Sequence, residues 1–516
     1  MGPLRPLFML FLSASCIAAP RGGTVAITDR GAVGDGRTVN TAVIQQVIDS
    51  VAAAGGGTVA IPPGIFLTGT LCLRSNIDLR IEPGGVLKGT EMLDAYQYRG
   101  RRVGLLFTED ARNVSISGGG TIDGNGDSFM DLTRAKSLEH AGTAWTRQRE
   151  RFREVQGGVG DGPVVPKDRP YQMVIFSGCS GVTVRGVTIT NSPFWTLHFA
   201  DCDGVTVSGV RIWCNLLVPN NDGVDFTSCS NVVMSDCDIR TGDDCIVVTG
   251  YSHHFDLPGY RDQKHPCENI TVSNCLLQSR SAAIRIGGFD QNPMRNMTFS
   301  NITITNSNRG IGLFVRDQGG IENILFTNII IETRLHTGDW WGNGEPIHLS
   351  AVRLTKDVPL GRIRNVKFQN VVCRGESGMI LYGSDESVIE DVAFDNVTFR
   401  VTESPLNHIG GGNFDLRPVL ESRLQLFAHD IPALYATHVR SLRIRNLDLR
   451  WDDVKASFFT HGIDVENFEG LHISGFDGTG APKNRAGYPV ALRNGRGCDV
   501  RLPRASVSRE NVEDIR

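Results

Sequence analysis

The sequence predicts an all-β protein, a single-stranded right-handed parallel β-helix with a short N-terminal capping helix. Three observations predict this fold. A phrase of alternating apolar and polar residues recurs along the chain, and a Gly, Asp or Asn interrupts each copy at the same point. Glycine is abundant, at 59 of 516 residues, and aromatic residues make up only 7%. Alternation is strand periodicity, and such a repeat is typical of solenoids.

The clearest copies of the repeat begin at four cysteines, Cys179, Cys202, Cys229 and Cys267. Weaker copies continue as far as the one that begins at Phe468. If each copy is one coil, the four cysteines stack in the core. We expect buried thiols there, with disulfide bridges as the alternative that an exported protein would permit.

The interrupting residues are expected at a sharp corner of each coil. Gly, Asn and Asp tolerate the left-handed backbone that such a corner needs. Stacked from coil to coil, their side-chain amides can bond to one another along the helix axis. They are Gly186, Gly209, Asp236, Asn274, Asn301, Asn328, Asn370, Asn396 and Asn446.

One helix is predicted where the first coil needs a cover. Asn40 is a suitable N-cap, the helix follows from Thr41 to Ala54, and Gly55 to Gly57 end it. An exposed solenoid end requires such a capping element. The apolar face consists of Val43, Val47, Ile48 and Val51.

The N-terminus has the features of an export signal, with Arg5 before an apolar run from Leu7 to Ala19. We predict a signal peptide at 1–19, a catalytic β-helix at 24–500 and a C-terminal tail at 501–516. The protein is therefore expected to be secreted or periplasmic. Cys16 could carry a lipid anchor, although Ser13 stands where an aliphatic residue is wanted.

Composition excludes several partners. The net charge is −4, with 52 Lys and Arg against 56 Asp and Glu, which does not suggest a nucleic-acid or membrane surface. No cysteine spacing resembles a zinc site, so no metal or cofactor is expected. We expect a monomer. The polar segment 131–168 is predicted to be a surface loop with a short helix near Thr143 to Val155.

Two acidic runs, Asn220-Asn221-Asp222-Gly223 and Gly242-Asp243-Asp244-Cys245, are about one coil apart. Neighbouring strands are about 4.8 Å apart, so the three carboxylates should share one patch. An acid and a base about 6.5–9.5 Å apart are the equipment for inverting hydrolysis of a glycosidic bond. Each run alone could be a turn. Three clustered carboxylates in register favour a catalytic site.

At these residues the chain resembles glycoside hydrolase family 28, the polygalacturonases and related pectin-degrading enzymes. The resemblance covers about residues 24–400 and includes Gly31–Gly36, Gly120–Gly124 and Asn191–His198, besides the two acidic runs. It implies that Asp243 is the general acid. It also implies that Asp222 and Asp244 activate water, and that the anomeric centre inverts.

The chain departs from the family pattern at two places. Ala282 stands where the family has a histidine, and Gly312 and Phe314 stand where it has the Arg and Lys that hold the galacturonate carboxylate. The missing clamp argues against plain polygalacturonan as the substrate. Arg285 and Arg316 are the candidate replacements.

Further residues are expected to bind substrate because they flank the acidic runs or lie in aromatic-rich loops. Trp195 could equally be a buried structural residue. His253 and His254 could replace the missing family histidine, but a solvated loop is the favoured interpretation of them. The candidates are Asn220, Asn221, Asp225, Trp195, His198, Trp340, Trp341 and His348.

The leading interpretation is an inverting glycoside hydrolase that acts on a pectin-related polysaccharide or oligosaccharide. The alternatives are a polysaccharide lyase and a non-catalytic carbohydrate-binding β-helix. Long inserts at 251–266, 332–348 and 400–435 could close one end of the groove, which would make the enzyme act on chain ends.

Overall fold

The computed structural model describes residues 22–138, 141–252, 257–260, 263–484, 486–503 and 506–515. The predicted signal peptide at 1–19, Cys16, His253 and His254 lie outside these residues. No helix in the described ranges is long and apolar enough to cross a membrane.

The described chain folds as a right-handed parallel β-helix, and 33 of its strands form one continuous hydrogen-bonded system. The strands of the first coils and of the first insert are β1 Thr24–Ala26, β2 Asp35–Val39, β3 Gly57–Ile61, β4 Gly64–Thr68, β5 Ile77–Ile81, β6 Gly85–Gly89, β7 Gln97–Tyr98, β8 Arg101–Arg102, β9 Leu106–Glu109, β10 Arg112–Gly118, β11 Thr121–Asp123, β12 Met130–Ala135 and β13 Val164–Pro166.

The central coils carry short strands separated by tight corners. They are β14 Val174–Ser177, β15 Ser180–Arg185, β16 Thr188–Thr190, β17 Leu197–Ala200, β18 Asp203–Ser208, β19 Arg211–Trp213, β20 Val224–Thr227, β21 Ser230–Ser235, β22 Asp238–Thr241, β23 Ile246–Thr249, β24 Cys267–Ser273, β25 Leu276–Ser279 and β26 Ala282–Gly288.

In the later coils several strands run through a corner and are longer. They are β27 Met294–Ser307, β28 Arg309–Val315, β29 Ile321–Thr333, β30 Ile347–Ala351, β31 Ile363–Gly375, β32 Met379–Tyr382, β33 Ile389–Thr402, β34 Asn413–Asp415, β35 Leu426–Ala428, β36 Leu434–Asp452, β37 Ile463–Ser474, β38 Val490–Val500 and β39 Val507–Ile515. Three antiparallel pairs, β7–β8, β12–β13 and β34–β35, lie in inserts outside the coils.

The capping helix α1 spans Thr41–Ala53. It buries Ile44, Val47, Ile48 and Val51, so Ile44 takes the place predicted for Val43. Asn40 precedes the helix as expected, but its side chain does not cap it. Its Oδ1 instead accepts from Val33 N, and its Nδ2 donates to the Val33 and Thr38 carbonyls. A second helix, α2, is one turn at Ser422–Gln425.

The predicted asparagine corner is present. Asn274, Asn301, Asn328, Asn370 and Asn396 all have φ between 54° and 57°. Each side-chain amide donates to the corner residue of the coil before it, at 2.8–3.2 Å, beginning at Asp236. The ladder therefore supplies hydrogen bonds along the axis where side chains are exposed.

The core is a set of stacked rows, each contributed by equivalent positions of successive coils. Phe299, Phe326, Phe368 and Phe394 stack with ring centroids 5.0 Å apart. The four predicted cysteines are free and buried, as expected for stacked thiols. The Cys229 thiol, for example, donates to the Phe199 carbonyl 3.2 Å away.

Two predictions about irregular segments need correction. The predicted tail at 501–516 contains β39, which pairs in parallel with β38 in the same register as earlier coils. The reason is a last weak repeat: Asn511 has φ 52° and donates to Asn494 Oδ1 at 3.2 Å. Within 131–168, the short helix is two separate 3₁₀ turns, Ala141–Trp145 and Arg149–Arg151.

Candidate active site

The candidate site lies on one face of the β-helix, where consecutive strands place their outward side chains in a file. The register aligns His198 with Asp225, Val247, Arg285 and Gly312, and then with His348. Side chains alternate along each strand, so these residues point away from the core. Asp222 lies just before β20, and Asp243 and Asp244 lie just before β23.

The three carboxylates meet as the sequence predicts. One oxygen from each of Asp222, Asp243 and Asp244 lies within 4.8 Å of the others, and all three residues are buried. The contact arises because both loops start strands in neighbouring coils, which are only about 4.8 Å apart.

Backbone groups hold Asp243 in place. Its Oδ2 accepts from Asn220 N at 3.1 Å, and its Oδ1 accepts from Asp244 N at 3.1 Å. Asn221 supports the same loop from beneath, because its Oδ1 accepts from Gly242 N at 2.7 Å and Asp243 N at 3.1 Å. Of the two predicted asparagines, Asn220 reaches the cavity and Asn221 braces the loop.

Asp244 is held from the next coil. Its Oδ1 accepts from Ala282 N at 2.8 Å, and Arg285 Nη1 lies 3.3 Å from its Oδ2. Arg285 also donates to the Gly287 carbonyl and to Tyr251 Oη. Ala282 therefore contributes its backbone to the site, and Arg285 supplies the nearest cation to the acid pair.

Burial shapes the protonation of this cluster. Burial, reinforced by the charge of Asp244, raises the pKa of Asp243 to about 7. Burial, with the charges of Asp243 and Asp225, also raises the pKa of Asp222 well above its usual range. A carboxyl that stays protonated near neutral pH is able to act as a general acid.

These three carboxylates are the one group in the described ranges whose ligand atoms cluster closely enough for a metal ion. The pKa values of Asp222 and Asp243 are raised, so these two carboxyls tend to hold protons. The cluster therefore carries less negative charge with which to attract a metal ion.

A cavity of about 320 Å³ opens over the carboxylates. Aromatic rings and arginines line the rest of it, which suits a sugar ring with an acidic substituent. The lining residues are Phe194, Trp195, Asn220, Asp222, Asp243, Asp244, Tyr251, Leu257, Ser281, Ala282, Arg285, Gly288, Phe289, Arg309, Phe314, Trp341, Arg417 and Pro418.

Several predicted binding residues lie beneath the cavity instead of lining it. His198 is buried under Trp195 in an edge-to-face contact, and its Nε2 lies 3.0 Å from Thr227 Oγ1. Asp225 is 3% exposed beside it. His348 is buried, with its Nε2 3.0 Å from Ser350 Oγ.

Two further candidates are structural. Trp340 is buried and its indole N–H donates to the Asp161 carbonyl at 3.1 Å. Arg316 is 1% exposed and donates to the carbonyls of Val315, Ser350, Leu416 and Pro418 and to Ser350 Oγ. Trp341 does line the cavity, as predicted.

Sequence reasoning missed two arginines that line the cavity. Arg309 lies 5.0 Å from the Phe314 ring centroid, with its Nε 3.5 Å from Glu345 Oε2. Arg417 lies 5.1 Å from the Trp341 ring centroid and pairs with Asp415 and Asp339. Arg309 stands three residues before Gly312, and Arg417 belongs to an insert, so no repeat pattern marks either one.

The inserts interlock to form one wall of the cavity. Gln148 donates to the Asn407 and Gly411 carbonyls, and Arg153 is buried and donates to the Trp340 carbonyl. Arg417 links back to Asp339 at 3.0 Å. Segment 131–168 is thus packed against the other inserts and is not simply a surface loop.

A parallel β-helix with clustered carboxylates in an aromatic, cationic cavity defines a carbohydrate-active protein. Its family follows from sequence: residues 56–407, more than half of the chain, match the profile of Glycosyl hydrolases family 28. The chain belongs to this family and is polygalacturonase-like.

Named relatives are similar over part of their length. A Vitis vinifera protein described as a probable polygalacturonase is 26% identical over 246 residues, 44% of each chain. The exo-poly-alpha-D-galacturonosidase of Dickeya chrysanthemi is 25% identical over 305 residues, 54% of this chain and 49% of the relative. The chain thus spans about half the length of these curated relatives.

Solved structures share the fold. The exopolygalacturonase of Thermotoga maritima superimposes with a TM-score of 0.59 at 22% identity, covering 83% of this chain and 91% of the other. The family 28 exopolygalacturonase of Yersinia enterocolitica gives a TM-score of 0.60 at 16% identity, covering 96% and 78%.

Proposed function

We propose that this protein is an exported hydrolase that cleaves glycosidic bonds of a uronate-containing, pectin-type chain. The observation that carries the proposal is the buried triad Asp222, Asp243 and Asp244 within one cavity. Clustered buried carboxylates reduce the stability of the fold, so their presence in one cavity favours a catalytic role. Export is proposed from the N-terminal segment of the sequence and from the polymeric substrate.

In the proposed reaction Asp243 gives its proton to the glycosidic oxygen while water attacks the anomeric carbon. The bond from that carbon to the leaving oxygen breaks, and the proton of the water passes to the carboxylate of Asp244. Asp222, whose raised pKa keeps its proton bound, helps to orient the water. Oxygens of Asp222 and Asp244 lie within 4.8 Å of each other, so one water can lie about 2.7 Å from both and donate its hydrogen bonds to them.

We propose inversion because three carboxylates provide an acid and a separate water-activating pair. The alternative is retention, in which two carboxyls about 5–5.5 Å apart act through a covalent glycosyl-enzyme. Proton NMR of the first product decides between them. Inversion gives the anomer opposite to the substrate linkage, and retention would overturn this part of the proposal.

The arginines of the cavity support an acidic sugar as substrate. The Phe314 ring fills the space over Gly312, where an added Cβ would lie 2.5 Å from it, so position 312 leaves no room for a cationic side chain. Arg309 reaches the same cavity from the start of β28, and Arg417 reaches it from an insert. The sequence argument against a uronate therefore loses its force, because cations are present at shifted positions.

The wall of interlocked inserts supports cleavage from a chain end. Trp341, Arg417 and Pro418 come from these inserts and border the cavity beside the strands that carry the carboxylates. Several relatives are named exopolygalacturonases or exo-galacturonosidases. Release of mono- or disaccharides from oligogalacturonides as first products is expected, and early release of long oligomers would contradict it.

Two alternatives give different results in the same assay. A lyase would release unsaturated products that absorb in the ultraviolet, and a binding protein would release nothing while still retaining the polysaccharide. Incubation with polygalacturonan, methyl-esterified pectin and rhamnogalacturonan, followed by reducing-sugar and ultraviolet readouts, separates the three. Saturated reducing sugar from at least one substrate supports the hydrolase.

A further inference from the structure

Arg169 is a partly buried cation near the active site for which the reaction above has no role. It follows β13 and lies over the Phe194 ring, 4.9 Å from its centroid. Its Nη1 donates to the carbonyls of Pro193 at 2.8 Å and Pro219 at 2.7 Å, and its Nη2 donates to Asn220 Oδ1 at 2.8 Å. One guanidinium thus ties together loops of two successive coils.

The two tied loops carry functional groups of the cavity. Phe194 and Trp195 form its aromatic side, and Asn220 lines it beside the carboxylates. Asn220 N–H donates to Asp243 Oδ2 at 3.1 Å, and Asn220 has φ 57°. Asn tolerates this left-handed backbone, and the hydrogen bond from Arg169 to its Oδ1 fixes where the loop lies.

The charge of Arg169 has no carboxylate within 4.0 Å among the described residues. Burial lowers the pKa of Arg169 to about 10, and the charges of Asp243 and Asp222 partly oppose that shift. A partly buried cation that faces the catalytic carboxylates and otherwise bonds only to neutral oxygens has those carboxylates as its counter-charge.

We propose that Arg169 is a positioning residue that sets both the geometry and the proton affinity of the general acid Asp243. The planar guanidinium of Arg169 fixes the loop at Pro219 and Asn220, and the Asn220 N–H holds the Asp243 carboxyl. The charge of Arg169 opposes the negative charge that neighbouring groups place around Asp243. This inference rests on the proposed hydrolase function.

The charged groups around Asp243 define what a pH experiment measures. Asp222 and Asp225 approach from the β20 segment, Asp244 is its chain neighbour, Arg285 approaches from β26 and Arg169 from the loop before β14. Removing Arg169 leaves Arg285 as the facing cation among these groups. The proton affinity of Asp243 should therefore rise.

The test compares Arg169→Met and Arg169→Lys with Arg240→Met as the matched control. Arg240 is exposed, pairs with Asp238 at 3.0 Å and lies 5.2 Å from the Trp213 ring centroid. We expect Arg169→Met to lower kcat roughly tenfold with little change in KM. The alkaline limb of the pH profile of kcat should move to higher pH by about half a pH unit. Arg169→Lys keeps the charge, so its alkaline limb should stay at the wild-type pH. Its kcat should remain below that of the wild type, because lysine lacks the planar guanidinium.

An unmoved alkaline limb in folded Arg169→Met would overturn the proposal, whether or not kcat falls. A second readout separates this inference from the proposed function. The pH dependence of the melting temperature reports the carboxyl without any substrate, and it should shift in the same direction in Arg169→Met. If that variant does not fold, the comparison is made with Asn220→Ala, which removes the side-chain acceptor of Arg169. In Asn220→Ala, a lowered kcat with the alkaline limb at its wild-type pH supports the positioning role of Arg169. An unchanged kcat overturns that role.

Discussion

Arg285 Nη1 lies 3.3 Å from Asp244 Oδ2, so a cation of one coil faces the acid pair of the coil before it. The strand register explains the contact, because Arg285 aligns with Val247, three residues after Asp244. The backbone N–H of Ala282 and this guanidinium together surround Asp244. The divergent site therefore keeps positive contacts with its carboxylates.

Removing that cation should impair the reaction. We expect Arg285→Met to lower kcat/KM by about 10²-fold, because Asp244 loses its ion pair inside a buried cavity. The matched control is Arg295→Met, which breaks a partly exposed ion pair with Glu268 away from the cavity and should leave activity unchanged. Steady-state kinetics on oligogalacturonides measure both. Wild-type activity in Arg285→Met would contradict a role for this contact.

Activity should decline as pH rises through about 7, because the pKa of Asp243 is raised to about 7 and the acid must be protonated. The same shift affects stability. A carboxyl whose pKa is higher in the folded state contributes stability below its ordinary pKa near 3.8, and that stability is lost as pH rises through about 7. The melting temperature of the wild type should therefore fall more between pH 4 and pH 8 than that of Asp243→Asn. Parallel profiles would contradict the shift.

Arg309 should determine preference for an acidic sugar. Its counterion Glu345 is fully buried, so the informative variant is Arg309→Gln combined with Glu345→Gln, which avoids an unpaired carboxylate. We expect KM for oligogalacturonides to rise about tenfold, with little change for carboxyl-reduced oligomers. Arg364→Gln, which breaks an exposed pair with Glu322, is the control. Equal losses on both substrates would argue against carboxylate recognition.

The asparagine ladder makes a separate prediction about stability. Asn328 has φ 56°, donates to Asn301 Oδ1 at 3.2 Å and accepts from Asn370 Nδ2 at 3.1 Å. Asn328→Ala should cost about 1–3 kcal/mol, because alanine disfavours the left-handed conformation and lacks the amide. Asn328→Gly should cost less, since glycine accepts that conformation. Denaturant unfolding measures both, and an equal cost would indicate that backbone conformation is unimportant there.

The fold was accessible from sequence because each coil repeats the same local chemistry. Alternating residues around Cys179 and Cys202 indicate strands, and the corner residues from Asp236 to Asn446 indicate where the chain turns. The repeat around Asn511 has few apolar positions, so the sequence alone predicts a tail there.

The carboxylate cluster can be predicted from the sequence because the coil spacing brings Asp222 and Asp243 together. The cavity wall cannot be predicted in this way. Arg309 and Arg417 act through contacts among inserts, and Arg169 acts through carbonyls of two loops. Those contacts depend on how the irregular segments fold. These segments contain no sequence repeat from which the positions of their residues could be predicted. Trp340 and Trp341 are adjacent in sequence, yet one is buried beneath the wall and the other lines the cavity.

The most direct test of the account is hydrolysis by Asp243→Asn, which removes the proposed acid and keeps its shape. We predict that reducing-sugar release from oligogalacturonides falls by at least roughly 10³-fold. The melting temperature at pH 7 should not fall, because the neutral amide relieves a charge that burial disfavours. Activity within tenfold of the wild type in a folded Asp243→Asn variant would contradict the central claim.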